Sequence, residues 1–212
     1  MPHPTTADRP VPEPEARITS RAALPRAYRG EVHCVLHFGA IGGLAAVGAA
    51  LLAARDPGAL VLVAALVPPW GVVEYLIHRF VLHGGWWPAL GRDHGTHHAC
   101  FPAGAPFQRT HHDWYRVLQR PQDVLALEVV ALVAAALAAL AGPAAALVAA
   151  TSANLYLLLY EGVHAVAHSE RASSWPLLRP IARCHLRHHV HPGRDYAVVL
   201  PAVDRLFGTE GA

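Results

Sequence analysis

The stretch that decides the fold is residues 143–168, PAAALVAATSANLYLLLYEGVHAVAH, an apolar run that ends in two histidines. From Pro143 to Val166 it exceeds the roughly 18–20 residues that an α-helix needs to cross a bilayer core, and it has no charged residue before Glu161. His164 and His168 are spaced i, i+4, so both imidazoles leave the same helix face. The stretch predicts a membrane-spanning helix with a histidine pair at its end.

Three further apolar stretches have a similar length. They run from about His33 to Ala54, from about Gly58 to Ile77 and from about Val124 to Ala141. Pro68 and Pro69 should kink or break the second of these, which a membrane helix tolerates. The first, third and fourth stretches show no polar face, which argues against a soluble bundle of apolar helices. The sequence therefore predicts an all-α integral membrane protein with four transmembrane helices.

The composition supports a membrane protein. Hydrophobic residues make up 53%, charged residues only 15%, and the mean hydropathy is +0.27, whereas soluble domains are about 25% charged. A net charge of +2 without a basic stripe argues against nucleic acid as a partner. The three cysteines form no CxxC pair and are interpreted as idle thiols. We expect residues 1–30 to be a mobile tail and residues 31–212 to form one membrane domain.

The links between the apolar stretches predict the topology. Residues 55–57 join the first two stretches and residues 142–143 join the last two, so two tight hairpins should turn on the same side. The N-terminal tail, the segment 78–122 and the tail 167–212 then share the other side, with 16 of the 17 arginines. The positive-inside rule places both termini and a helical cap in the cytoplasm. Arginine without lysine fits a GC-rich coding sequence, and we expect a bacterial inner membrane.

Histidine is unusually abundant, with 16 residues in 212, and ten of them lie in four motifs. The motifs are HRFVLH (His78, His83), HGTHH (His94, His97, His98), HAVAH (His164, His168) and HLRHH (His185, His188, His189). We expect each HxxHH and the HxxxH to direct its imidazoles to one spot, because i, i+3 and i+4 share a helix face. An HxxxxH spacing is about 140° on a regular helix, so that pair must flank its site or the helix must loosen. Ten imidazoles are too many for one metal ion and suit two.

Other polar residues near the motifs are candidates for orienting the imidazoles. Glu74 lies four residues before His78, and its carboxylate either accepts a hydrogen bond from an imidazole or pairs with an arginine such as Arg79. The same alternatives apply to Glu161, three residues before His164. The remaining candidates are His111, His112 and His191, with Asp93, Asp195 and Asp204 as weaker ones.

The four motifs, in this order, resemble those of the fatty acid hydroxylase/sterol desaturase superfamily of membrane di-iron enzymes. The resemblance covers roughly Gly71 to Thr209 and includes the sequence DRLFGT at 204–209. It implies that the ten motif histidines bind two iron ions, which zinc could replace in purified protein, and that catalysis needs no residue beyond these ligands. It also implies that O₂ is the co-substrate and that a C–H bond of a lipid from the bilayer, an acyl chain or related lipid, is hydroxylated.

Several alternatives stay open. A separate electron donor is expected, a ferredoxin or a cytochrome with its reductase, because the sequence contains no flavin, haem or iron–sulfur motif. Carotenoid ring hydroxylation and sterol or lipid desaturation would use the same metal site. A non-enzymatic metal-binding or transport protein would place polar ligands near the middle of the bilayer, whereas these motifs lie at one face. A di-haem cytochrome would need facing histidines on paired spans, and a ferritin-like bundle two Glu-x-x-His motifs.

Overall fold

The computed structural model describes residues 24–103, 107, 117, 121–169 and 175–211. The helices are α1 (Leu24–Arg55), α2 (Ala59–Ala65), α3 (Val67–Leu76), a π-helix (Ile77–Leu82), α4 (Pro88–Cys100), α5 (Pro121–Ala138), a 3₁₀ turn (Ala139–Ala141), α6 (Pro143–Ala167), α7 (Arg179–Val190) and α8 (Ala202–Leu206). No strand occurs in these ranges, so the all-α class is confirmed there. Residues 24–30, expected in the tail, belong to α1 instead.

Four helical stretches are long and apolar enough to cross a bilayer. They are Phe38–Arg55, Ala59–Leu82, Val124–Ala141 and Pro143–Ala167. Many of their large apolar side chains face outward; Leu140, for example, is 88% exposed. In water such exposure would be costly, whereas in lipid it is not. The stretches coincide with the four that the sequence predicts and mark the chain as a membrane protein.

The second span breaks between two α-helices at Leu66. Helix α2 ends at Ala65 and α3 begins at Val67, with Leu66 between them. Pro68 and Pro69 lie in the first turn of α3, where a missing backbone N–H is tolerated. The backbone N–H of Trp70 then donates to the Leu66 carbonyl at 3.1 Å. The predicted break is therefore local, and the span continues through it.

Helix α6 is the central element. It contacts α1, α2, α3, α5 and α7, and 50% of its apolar window is buried, compared with 11% for the window in α5. Its Tyr156 and Val163 pack in one cluster with Ile41 of α1 and Val198 of the C-terminal segment. This packing carries the C-terminal end of α6, with its histidine pair, into the interior of the protein.

The C-terminal segment packs against α3 at a glycine. A Cβ built on Gly71 would lie 2.7 Å from Leu200 Cδ1, so any larger residue would push that side chain aside. One helical turn later, the Tyr75 ring stacks on Phe207 with centroids 4.7 Å apart. Residues after α7 are therefore part of the folded domain and lie beside the span that carries the first histidine motif.

Candidate metal centre

The helix loosens where the HRFVLH motif lies. Residues Ile77–Leu82 form a π-helix, and the His83 backbone N–H donates to the His78 carbonyl at 3.1 Å, an i→i+5 bond. Because a π turn takes in about one residue more than an α turn, residues five apart come to the same face. His78 and His83 therefore lie on the same face of the helix. Of the two arrangements that their spacing allows, the structure has the loosened helix.

Ten imidazoles come together in two groups. The first group is His78, His83, His94, His98 and His188, and the second group is His97, His164, His168, His185 and His189. Within each group the candidate ligand atoms all lie within 4.8 Å of one another. These are the ten histidines of the four motifs, in two sets that could each hold a metal ion. That they bind metal stays a prediction.

Each HxxHH motif is divided between the two groups, so the expectation that it serves one spot was wrong. In α4, His94 and His98 join the first group and His97 joins the second. Helix α7 shows the reverse pattern, with His188 in the first group and its other two histidines in the second. The reason is the helical period: consecutive side chains diverge by about 100°, whereas i, i+4 pairs diverge by only about 40°. Helices α4 and α7 therefore lie across both groups and tie them together.

The ring nitrogens are spaced like ligands around an ion. The Nε2 atoms of His78 and His94 lie 3.0 Å apart, and those of His83 and His188 lie 2.9 Å apart. In the second group such contacts range from 2.9 to 3.2 Å. Imidazoles that bind an ion at about 2.1 Å and at right angles have nitrogens roughly 3.0 Å apart, whereas a tetrahedral arrangement gives about 3.4 Å. The spacing therefore fits five- or six-coordinate ions.

Backbone carbonyls orient two imidazoles of the first group. The Nδ1–H of His78 donates to the Tyr196 carbonyl, and that of His188 donates to the Arg194 carbonyl at 2.7 Å. A proton on Nδ1 leaves the Nε2 lone pair unprotonated and directed into the group. Both lone pairs therefore point into the group, where a metal ion could accept them.

Burial keeps the imidazoles neutral. It lowers the pKa of His83 to about 3, with a contribution from His188, and it lowers the pKa of His188 to about 4. Burial, together with neighbouring histidines, holds the pKa of His94 and of His185 well below the usual range. Neutral imidazole is the metal-binding form, so both groups are ready to ligate at neutral pH.

A short segment near the C-terminus positions the carbonyl that orients His78. The buried carboxylate of Asp204 accepts hydrogen bonds from the backbone N–H of Tyr196 at 2.8 Å, from the next N–H at 2.7 Å and from the Thr209 hydroxyl at 2.8 Å. Gly208, with φ +68°, forms the turn that returns Thr209 to Asp204. We call residues 195–199, with Asp204 and Thr209, the C-terminal clamp. It gives DRLFGT a physical role.

Glu74 holds the same clamp from the membrane side. Its carboxylate accepts hydrogen bonds from the Val198 backbone N–H, from the following N–H and from the Tyr156 hydroxyl. Within the described residues it bonds neither a histidine nor Arg79, whose guanidinium donates to the Tyr75 hydroxyl at 2.6 Å. Both interpretations of Glu74 from sequence are therefore corrected, because it acts on a motif histidine only through the clamp.

An ion pair fixes the turn after α7. The Arg187 guanidinium donates to both carboxylate oxygens of Asp195, at 2.9 and 3.1 Å. Asp195 is buried in a left-handed conformation, φ +52°, and also accepts from the Gly211 backbone N–H at 3.0 Å. Although burial opposes it, hydrogen bonding to Arg187 holds the pKa of the Asp195 carboxyl below its usual value. The pair places the Arg194 carbonyl against His188.

The remaining candidates have different outcomes. Glu161 is buried on α6, with 1% exposure, and its role as an imidazole acceptor stays a prediction. His191 is exposed and belongs to neither group, because α7 ends at Val190 and the chain turns away. His111 and His112 lie outside the described residues. Asp195 and Asp204, which the sequence ranked as weaker candidates, hold the backbone whose carbonyls orient His188 and His78. Asp204 is the first residue of DRLFGT, so that motif was the signal that could have identified it.

An apolar cavity adjoins the first group. It lies between α3, α5 and α6, has a volume of about 70 Å³ and is partly open to the outside. Trp70, Leu127 and Leu157 line the cavity, and so does His78, a histidine of the first group. The cavity therefore connects the apolar interior of the spans with the first group.

Comparison with known proteins agrees with this site. The family model described as Fatty acid hydroxylase matches residues 61–209, well over half of the chain. No curated protein and no solved structure matches the chain. The matched range contains all four histidine motifs and the DRLFGT sequence. The motif order predicted this relationship, and the chain belongs to the fatty acid hydroxylase family.

Proposed function

We propose that this protein is a membrane di-iron oxygenase that hydroxylates a C–H bond of a lipid, using O₂ and electrons from a separate donor. The observation that carries this proposal is the pair of adjoining five-histidine groups at the end of an apolar cavity. Imidazole ligands suit iron, copper or zinc, and zinc has no redox chemistry. Membership of a hydroxylase family favours iron.

The chain's own residues bind, orient and shield. Neutral imidazoles are presented by α4, the π-helix, α6 and α7, and the clamp fixes the ring of His78 through the Tyr196 carbonyl. Two bound irons would supply the O₂-dependent oxidation, which amino-acid side chains cannot perform. The apolar walls of the cavity exclude water and hold the lipid chain beside the first group.

The lipid would enter from the bilayer, because the walls of the cavity belong to helices of the spans. The four spans would form two hairpins, because their connections are short. Three residues join α1 to α2, and one residue joins the 3₁₀ turn after α5 to α6. Both links would lie on one side of the membrane. Helices α4 and α7, with their histidines and arginines, would lie on the cytoplasmic side of a bacterial inner membrane.

The test is metal content and product analysis on the same preparation. Protein from iron-replete cells, in nanodiscs, receives a ferredoxin, its reductase, candidate lipids and ¹⁸O₂. We expect two irons per chain, one for each group, and a hydroxylated lipid that carries ¹⁸O. Hydroxylated product without the label would exclude an oxygenase. The zinc-loaded protein is the control for redox chemistry, because it keeps the ligand geometry and should give no product.

The same experiment separates the alternatives. A product that has lost two hydrogens and gained no oxygen would identify a desaturase, and activity on carotenoids alone would identify a ring hydroxylase. Protein that binds metal but oxidises no lipid, and that carries metal into proteoliposomes, would instead be a transport protein.

A further inference from the structure

Helix α5 carries one carboxyl group within its membrane span. Glu128 is the single charged residue between Val124 and Ala141. It is partly buried and lines the cavity beside the first group. In the described part of the chain it makes no hydrogen bond or ion pair. A carboxyl group at membrane depth is costly unless it has a partner, so its position calls for one.

Two other polar positions in the cavity wall already have partners. The Trp70 indole N–H donates to the Ser152 hydroxyl at 2.9 Å. The Tyr156 hydroxyl donates to Glu74, whose carboxylate also holds the clamp. The Glu128 carboxyl is therefore the group in this wall that is left for a molecule inside the cavity.

We propose that Glu128 determines substrate specificity by accepting a hydrogen bond from a hydroxyl or amide N–H of the lipid. This inference rests on the proposed function, because it takes the cavity as the lipid site. A carboxyl group has an acceptor oxygen whether it is protonated or ionised. The substrate class is thus a lipid with a neutral hydrogen-bond donor, such as a lipid alcohol or an N-acyl amide.

Lipids without such a donor are discriminated against. A hydrocarbon chain at this level would leave the carboxyl group buried without a partner, which costs binding free energy, and an ester has no donor to offer its acceptor oxygens. The carboxylate of a free fatty acid would add repulsion between like charges. One neutral hydrogen bond corresponds to roughly a fivefold preference for the donor-bearing lipid.

The experiment uses two chain-matched photoreactive probes. Both are 16-carbon chains with a diazirine; one ends in a hydroxyl and the other in a methyl ether, which cannot donate. The full-length protein is labelled in nanodiscs, and mass spectrometry gives the extent and position of labelling. We expect the alcohol to label wild type roughly five times more than the ether. Glu128→Leu should remove this preference, and Glu128→Gln should narrow it, because the glutamine amide can accept from the alcohol but can also donate to the ether oxygen.

Two control variants separate the outcomes. Leu132→Val changes an outward-facing residue of α5, 66% exposed, and should label like wild type. Ala131→Phe fills the cavity wall and should reduce labelling by both probes. If Glu128→Leu keeps the wild-type preference while Ala131→Phe blocks labelling, the cavity is the lipid site and the inference about Glu128 is overturned. If Ala131→Phe labels like wild type, the cavity is not the lipid site and both proposals lose their basis. Labelling needs neither iron nor O₂, so failed oxygenation alone would count against the proposed function only.

Discussion

The first and second histidine groups contain equal numbers of imidazoles but are built differently. All five histidines of the second group are buried, whereas two in the first group are only partly buried. The first group is oriented from outside by carbonyls of the clamp and of the turn after α7. In the second, the Phe101 carbonyl orients His189 at 2.8 Å, whereas the Nδ1 atoms of His164 and His185 find no hydrogen-bond partner among the described residues, so those two rings depend on helix packing. The first group is therefore the more accessible of the two, and the second is the more enclosed.

The largest difference should follow the loss of a second-group ligand. His168 is fully buried, and its Nε2 lies 2.9 Å from that of His185. His168→Ala should abolish activity, remove at least one iron and destabilise the fold by about 2–5 kcal/mol, because loss of a fully buried ring leaves a cavity. Iron analysis and thermal unfolding measure these effects. His83→Ala, at the partly buried edge of the first group, should also lose one iron but unfold near the wild-type temperature. Two irons retained in His168→Ala would contradict the grouping.

Asp204→Asn should weaken only the first group. The change leaves the size of the side chain but removes the charge that holds the clamp, and such supports are typically worth about 10- to 100-fold in metal affinity. Competition with a chelator should show one weakened iron and one unchanged. Glu210→Gln is the matched control, since that carboxylate pairs with Arg205 at 3.0 Å at the surface and touches neither group. Equal weakening of both irons would show that the clamp supports the fold as a whole.

The two groups should also differ in the rate at which they release iron. Because His83 and His98 are partly exposed, a water-soluble chelator should remove the first iron several times faster than the second. Iron release is followed over time and should show two phases. His188→Ala, which damages the first group alone, should leave only the slow phase. A single phase in wild type would mean that the two groups open together.

Local spacing is what made much of this site predictable. The four spans follow from lengths of apolar sequence, and the ten histidines follow from motifs whose members lie within five residues of one another. The division of each HxxHH was not predictable, because it depends on where α4 and α7 lie relative to each other. The clamp was missed for a similar reason: Glu74 reaches Val198 across 124 positions, through a backbone N–H that leaves no mark in the side-chain pattern.

The smallest expected effect concerns Arg187, which tests how far the support of the first group extends. Its guanidinium is about one-third exposed, with a side-chain exposure of 36%, whereas Asp195 is at 2%, so solvent screens the ion pair and each such pair contributes about 0.2–1 kcal/mol. Arg187→Gln should therefore weaken iron binding in the first group only about two- to threefold. The effect should shrink at high salt, unlike that of Asp204→Asn, whose hydrogen bonds are buried. Arg205→Gln, which breaks the exposed pair with Glu210, provides the baseline. An Arg187→Gln effect as large as that of Asp204→Asn would mean that the Arg194 carbonyl, rather than the clamp, is the main support of the first group.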